Sequence, residues 1–287
     1  MKKFLRRIKR KIKRALRKTA RRIGKLKPSD WVRYAILFAA AVAFVYASYS
    51  LTDIYINYQE SDETYEEIDD MFLQTVTVEE TEEAEDGTLL SFTSEITTWV
   101  WDFDKLLDYN SEAMGYIKQD SSHIQYPIFQ HDDNSYYLSH AADKSSSSNG
   151  AIFIDYRCEE GMEARNCVIY GHNMRSGAMF ASLNNYKNEE YLEENPTFDI
   201  YVGYDHYIYY VFATYVTAAT NSPVYTVDFD TDEDFTDWLE TCLESATYST
   251  FVDELSTDDK IITLSTCCGD SSKRFVVQLV RGEKVID

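Results

Sequence analysis

Five histidines and five cysteines are spread through this 287-residue chain without any H-x-x-H, C-x-x-C or similar ligand spacing, so no zinc site is expected. The many carboxylates lack the spacing of an EF-hand calcium loop. No internal repeat is present, which excludes a solenoid. The cysteines, at 158, 167, 242, 267 and 268, are odd in number and so cannot form a fully paired disulfide framework. Basic residues become scarce after residue 33. Residues 1–33 hold 16 of the 28 Lys/Arg and a single acid, Asp30, whereas the remainder has 12 basic residues against 48 acidic ones, a net charge of −36. The overall charge of −21 hides this division. Such a split points to two compartments rather than to one uniformly acidic protein.

What lies between the two charge regimes is apolar. Residues 31–56 contain an unbroken weakly polar run from Tyr34 to Leu51, YAILFAAAVAFVYASYSL. At 1.5 Å per residue, about 20 helical residues span a hydrocarbon core of roughly 30 Å. Trp31, Tyr34 and Tyr55 stand where interfacial aromatics are expected. The basic segment precedes the span, so the positive-inside rule predicts residues 1–30 in the cytoplasm and 57–287 outside the cell in a single-pass topology. The run reads as an uncleaved anchor rather than a signal peptide, because the basic region is long and Ala-Ser-Tyr-Ser is a poor cleavage site. Within the tail, Leu5, Ile8, Ile12, Leu16, Ile23 and Leu26 recur amid Lys and Arg, the pattern of an amphipathic helix on an anionic membrane surface. The adjoining span favours that reading over nucleic-acid binding. Residues 57–90 are densely acidic and are expected to form a solvated extracellular stalk that can include short helical stretches.

From about residue 91 the pattern becomes globular. Ile96, Val100, Phe103, Leu106 and Leu107 at helical spacing predict one or two opening helices. Short runs bounded by polar turns follow at 115–118, 124–130, 136–140, 151–156 and 167–171, then a helical stretch at 179–194 that stops before Pro196. Strands are predicted at 198–203, 206–217, 260–267 and 274–280. A helix fits 231–246, where Phe235, Trp238, Leu239, Cys242, Leu243 and Ala246 form one stripe behind an acidic first turn. Many short strands with few helices indicate a mainly β domain over 91–287, a barrel or sandwich with helical insertions. Cys158 and Cys167 flank eight residues between two predicted strands, a spacing that allows a bridge across the hairpin and equally allows two thiols. Cys242, on the helical stripe, reads as a small core residue.

The chemistry concentrates near the C-terminus. In Thr263-Leu264-Ser265-Thr266-Cys267 alternation puts Thr263, Ser265 and Cys267 on one face. Arg274 begins the next strand after six intervening residues, so the two should meet at a hairpin mouth, roughly 5 Å apart. A guanidinium beside a thiol favours the thiolate and can hold a developing oxyanion. His172, in Tyr170-Gly171-His172-Asn173-Met174, ends another predicted strand. Nucleophile, acid/base and fixed charge are the parts an acyl-transfer site needs. Taken singly, each also fits an ordinary rim, turn or surface residue.

Two motifs together carry a family resemblance over about residues 95–285. The segment from Asn166 to Met174, with Met179-Phe180 and Leu183 after it, resembles the histidine motif of class B sortases, and residues 263–267 match the sortase T-L-x-T-C signature with its following arginine. The helix at 231–246 resembles the class B insertion. The loop from Cys267 to Arg274 is shorter than is usual for that class, and Cys268 is an unusual neighbour. The resemblance implies an eight-stranded barrel with N-terminal helices, and no cofactor or metal. It implies a cysteine transpeptidase in which Cys267 attacks the Thr carbonyl of a sorting signal on a secreted protein, of the N-P-x-T-x or L-P-x-T-G type. Arg274 and the backbone N–H of Cys268 would hold the oxyanion, and His172 would protonate the leaving amine. An amine of the peptidoglycan cross-bridge, or of a pilin, would resolve the thioacyl-enzyme at the surface of a Gram-positive cell. By position Asn134, Leu138, Tyr170, Tyr225 and Ser265 resemble the residues lining the class B peptide groove. Asp270 reads as a turn residue. An L,D-transpeptidase would place His and Cys close together in a Gly-rich segment, which is not found, and a non-catalytic binding module would have lost one of the three residues.

Overall fold

The computed structural model describes residues 11, 13–14, 27–83, 89–250 and 255–286. The amphipathic pattern expected over residues 1–30 lies largely outside them. The chain divides into two compact units, residues 1–56 and 57–287. Helix α1, Pro28–Asp70, begins with proline at its first position, where the missing N–H has no helical partner to lose. Its part within the first unit presents exposed apolar side chains, and it is the one helix among the described residues long and apolar enough to cross a membrane.

Residues 57–70 differ from the solvated stalk expected of them. They continue α1, and Ser61, Tyr65 and Ile68 form a stripe at helical spacing that is buried in the core of the second unit, followed by Phe72. The carboxylate of Asp69 is also engaged there: it accepts from the Tyr116 hydroxyl at 2.9 Å, from Trp99 Nε1 at 3.2 Å and from Gln125 Nε2. Strands β1, Leu73–Glu83, and β2, Leu89–Trp99, then pair as an antiparallel hairpin. Ile96 therefore lies in a strand rather than in an opening helix. Pairing of a stretch with three Thr and a terminal Trp outweighs its weak helical spacing. The opening helix is only α2, Phe103–Tyr109, capped by Asp102, whose side chain accepts from the Lys105 N–H.

The barrel comprises β3 (Ala113–Lys118), β4 (Gln125–Gln130), β5 (Ile152–Ile154), β6 (Asn166–Tyr170), β7 (Thr197–Val202), β8 (Asp205–Ala218), β10 (Ile261–Cys267) and β11 (Lys273–Lys284). The spatial order is β11-β10-β6-β5-β4-β3-β7-β8, and pairing of β11 with β8 closes it, so the eight-stranded barrel expected from the resemblance is present. Closure removes the exposed edges that an open sheet would leave. The two-residue β9, Tyr248–Ser249, adds to β8 beyond the reach of β7. All pairings in the barrel are antiparallel except β4–β5 and β6–β10.

Segment 136–140, expected as a strand, instead contains a 3₁₀ turn, Tyr136–Leu138, and 179–194 resolves into a 3₁₀ stretch, Phe180–Lys187, followed by α3, Glu189–Glu194. Asn188 ends the first and caps the second, which interrupts what periodicity alone reads as one helix. Helix α4, Asp232–Ser245, matches the predicted insertion. Thr231 and Asp234 form a reciprocal capping box at its start. Phe235, Trp238, Leu239 and Cys242 pack on the outer face of β8, β10 and β11, against Phe212, Tyr215, Ile261 and Val276. Burying Phe235 and Leu239 contributes about 1.5–3 kcal/mol each.

Candidate active site

Three adjacent strands bring the sequence-predicted trio to one rim of the barrel. β10 lies between β11 and β6. On one side Cys267 is the direct partner of Arg274. On the other, β6 runs parallel with Ser265 opposite Tyr170, and the alignment persists past the strand end. The Gly171 N–H donates to the Ser265 carbonyl at 3.2 Å, the Thr266 hydroxyl donates to the Gly171 carbonyl at 2.8 Å, and Asn173 Nδ2 donates to the Cys267 carbonyl at 2.6 Å. His172 is thus carried alongside Cys267. All three residues are half-buried.

Around His172 the packing is tight. Its Nε2 lies 2.9 Å from the Leu138 carbonyl. A carbonyl only accepts, so Nε2 carries the proton in this contact, and Nδ1 is left to exchange one. Gly150, at φ +60°, closes over the same place. A Cβ there would lie 2.3 Å from the Tyr137 carbonyl oxygen, 3.1 Å from that of Leu138 and 3.2 Å from Cδ2 of His172. The Gly150 carbonyl in turn accepts from the Tyr65 hydroxyl of α1 at 2.9 Å.

The arginine flank is held by backbone alone. Arg274 Nη1 donates to the carbonyls of Ser271 at 3.1 Å and Lys273 at 2.9 Å, and no carboxylate among the described residues pairs with it. Asp270 spends its carboxylate on the loop, accepting from the Ser272 N–H and hydroxyl, in keeping with a turn residue. Gly269 sits at φ +91°, which lets the short connection reverse.

Of the five groove candidates, Asn134, Tyr170 and Tyr225 line one cleft of about 570 Å³, together with Asp155, Arg157 and Ser222. Ser265 joins it through its hydroxyl, 3.0 Å from that of Tyr225. Leu138 does not line this cleft; its carbonyl faces His172 and its side chain is exposed. Asp155 and Arg157 escape the sequence reading, though a carboxylate directly after the apolar run 152–154 was a usable signal. Burial alone would push the Asp155 carboxyl up. The Arg157 guanidinium and N–H, with Asn134 and Tyr170, instead hold it below the usual carboxylate range. In the sequence Asn173 is only one member of the histidine motif, and the structure brings its amide to the Cys267 carbonyl. Cys158 and Cys167 are buried free thiols in mutual contact, and Cys242 is a core residue accepting from Gln278 Nε2.

Residues 117–281 match the family model described as a sortase domain. The chain belongs to the sortase family, in its class B. Sortase B of Listeria monocytogenes is 35% identical over 190 residues, covering 66% of this chain and 74% of that protein. The structure of sortase B from Bacillus anthracis in complex with AAEK1 superposes with a TM-score of 0.64 at 29% identity, over 80% of this chain and all of that one. A sortase B–substrate complex from Staphylococcus aureus gives a TM-score of 0.58 at 26% identity, over 63% of this chain and 84% of that one. This sortase is therefore a cysteine transpeptidase by family, with α4 occupying the connection between β8 and the final hairpin.

Proposed function

We propose that this class B sortase is anchored in the cell membrane by residues 31–56, with its N-terminus cytoplasmic and its barrel outside, and that it joins secreted proteins to peptidoglycan. The reading of the chemistry is carried by one observation: the register of β6, β10 and β11, with the hydrogen bonds that extend it past Tyr170, brings His172, Cys267 and Arg274 to one rim. A sorting signal lies along the cleft of Asn134, Tyr170, Tyr225 and Ser265, with its threonine carbonyl at Cys267. The Cys267 thiol passes its proton to Nδ1 of His172 and adds as the thiolate to that carbonyl. The oxyanion is met by the Arg274 guanidinium and the Cys268 N–H, whose strength comes from being fixed before charge develops. His172 delivers a proton from Nδ1 to the leaving amine as the C–N bond breaks. The thioacyl-enzyme then awaits a cross-bridge amine, which His172 deprotonates as it attacks, restoring the thiol and completing the new amide.

The test uses the full-length chain in detergent with fluorogenic pentapeptides of the N-P-x-T-x and L-P-x-T-G types, with and without an added amine. Cleavage lost in Cys267→Ala and accelerated by the amine is the expected result. Cleavage that survives Cys267→Ala and disappears in Cys268→Ala would assign the nucleophile to the wrong cysteine.

A further inference from the structure

In the parallel pairing of β6 with β10 the Gly171 N–H donates to the Ser265 carbonyl. Two residues further, a continuing ladder would bring the N–H of residue 173 to the carbonyl of Cys267. The chain turns away there, and the side-chain amide of Asn173 takes that place, with Nδ2 2.6 Å from the Cys267 carbonyl oxygen. Asn173 is itself anchored. Its backbone bridges to Met179, and the Met179 N–H donates to the Tyr126 hydroxyl at 3.0 Å.

A trans peptide is planar, so its C=O and N–H point in opposite directions. Drawing the Cys267 carbonyl toward Asn173, on the β6 flank, turns the Cys268 N–H toward β11. On that side Arg274 is paired with Cys267, and its guanidinium rests on the Ser271 and Lys273 carbonyls. Among the described residues no backbone hydrogen bond outside the strand ladders engages the Cys268 N–H. A backbone donor turned toward a guanidinium that no carboxylate neutralises, in a half-buried site, is arranged for an anion that appears only during reaction.

We infer that Asn173 is a positioning residue that aims the Cys268 N–H at the oxyanion, separating an oxyanion flank on β11 from an acid/base flank on β6. The inference rests on the reaction proposed above but concerns the peptide plane, not the sorting signal. The contact that Asn173 makes with Cys267 is to its carbonyl oxygen. Removing its amide leaves the thiol able to attack and lets the 267–268 peptide turn.

Two reagents separate these effects. With p-nitrophenyl acetate the Cys267 thiolate adds to an ester carbonyl, an oxyanion forms, and nitrophenolate leaves as the acetyl thioester is made. With iodoacetamide the same thiolate displaces iodide and no oxyanion arises. Both rates are measured at Cys267 on the full-length chain in a Cys268→Ala background, so that a single half-buried thiol reports. Asn173→Ala and the isosteric Asn173→Asp should slow acetylation about 10- to 100-fold, less than or comparable to deleting an oxyanion donor, and leave alkylation within about twofold. Asn173→Gln, which keeps a donor, should recover part of the loss. Acetylation and alkylation falling together, or neither falling, in the variants that retain the parent's melting temperature would overturn the inference. A chain that cleaves no sorting peptide but shows the expected ratio would discredit the substrate reading alone.

Discussion

Arg274 reaches Cys267 across a hairpin with six intervening residues, whereas His172 reaches it through a parallel pairing between strands some ninety-five residues apart in sequence. The arginine flank is a loop whose own carbonyls hold the guanidinium. The histidine flank is assembled from distant pieces: the Leu138 carbonyl, Gly150, the Asn173 amide and, behind them, Tyr65 of α1. A charge that need only be near an anion tolerates a short flexible frame. A ring that must move a proton at one nitrogen needs its orientation fixed from several sides.

Cys267→Ala removes what both flanks serve and should lower peptide cleavage by about 10⁴-fold or more, read as kcat/KM. Arg274→Ala should cost about 10²–10³-fold in kcat, and Arg274→Lys should recover little, because a point charge does not reproduce the planar fork that bridges two carbonyls and an oxyanion. On the other flank Gly150→Ala should reduce kcat by about 10- to 100-fold, since the new methyl displaces the Leu138 carbonyl and the His172 ring together. The iodoacetamide rate at Cys267 should stay near that of the parent in this variant, which is what distinguishes damage to the histidine flank from damage to the thiol.

Acid should loosen the histidine flank through Asp155, which accepts from the Tyr170 hydroxyl at the end of β6. Its carboxyl is held below the unfolded value, so its contribution to stability is complete above about pH 4 and is lost as pH falls through the depressed folded value. Melting temperatures followed from pH 6 to pH 2 should fall more steeply in the parent than in Asp155→Asn. The smallest effect is expected for Tyr65→Phe, which deletes the hydrogen bond to Gly150 at a cost of about 1 kcal/mol in denaturant unfolding, with only a minor fall in kcat.

The same contrast explains what could be read before the fold was known. Alternation in 263–267 and the position of Arg274 suffice for the hairpin flank, because neighbours in sequence are neighbours in space. The stripe and cap of α4 are equally local. Nothing local states that β6 lies beside β10, and His172 joins the site on the strength of a motif rather than of spacing. Residues 57–70 depart from their sequence expectation for a different reason. Seven carboxylates, from Glu60 to Asp70, surround Ser61, Tyr65 and Ile68, and composition averaged over the segment conceals a stripe visible only one residue at a time. Asn173 was hidden by its type: a polar residue beyond a strand end reads as turn chemistry until the ladder position it fills is known.

The unequal separation of the two flanks along the chain also orders events during folding. Closing a connection of about ninety-five residues costs roughly 2 kcal/mol more chain entropy than closing one of six, so the hairpin can form first and the parallel pair later. In the proposed mechanism the chain, until β6 docks on β10 in register, holds a thiol and a guanidinium but no base, and a slip by one residue would exchange His172 for a neighbour. Catalytic competence is then a late reporter of folding. In refolding from denaturant, recovery of peptide cleavage should lag behind the return of β-sheet circular dichroism.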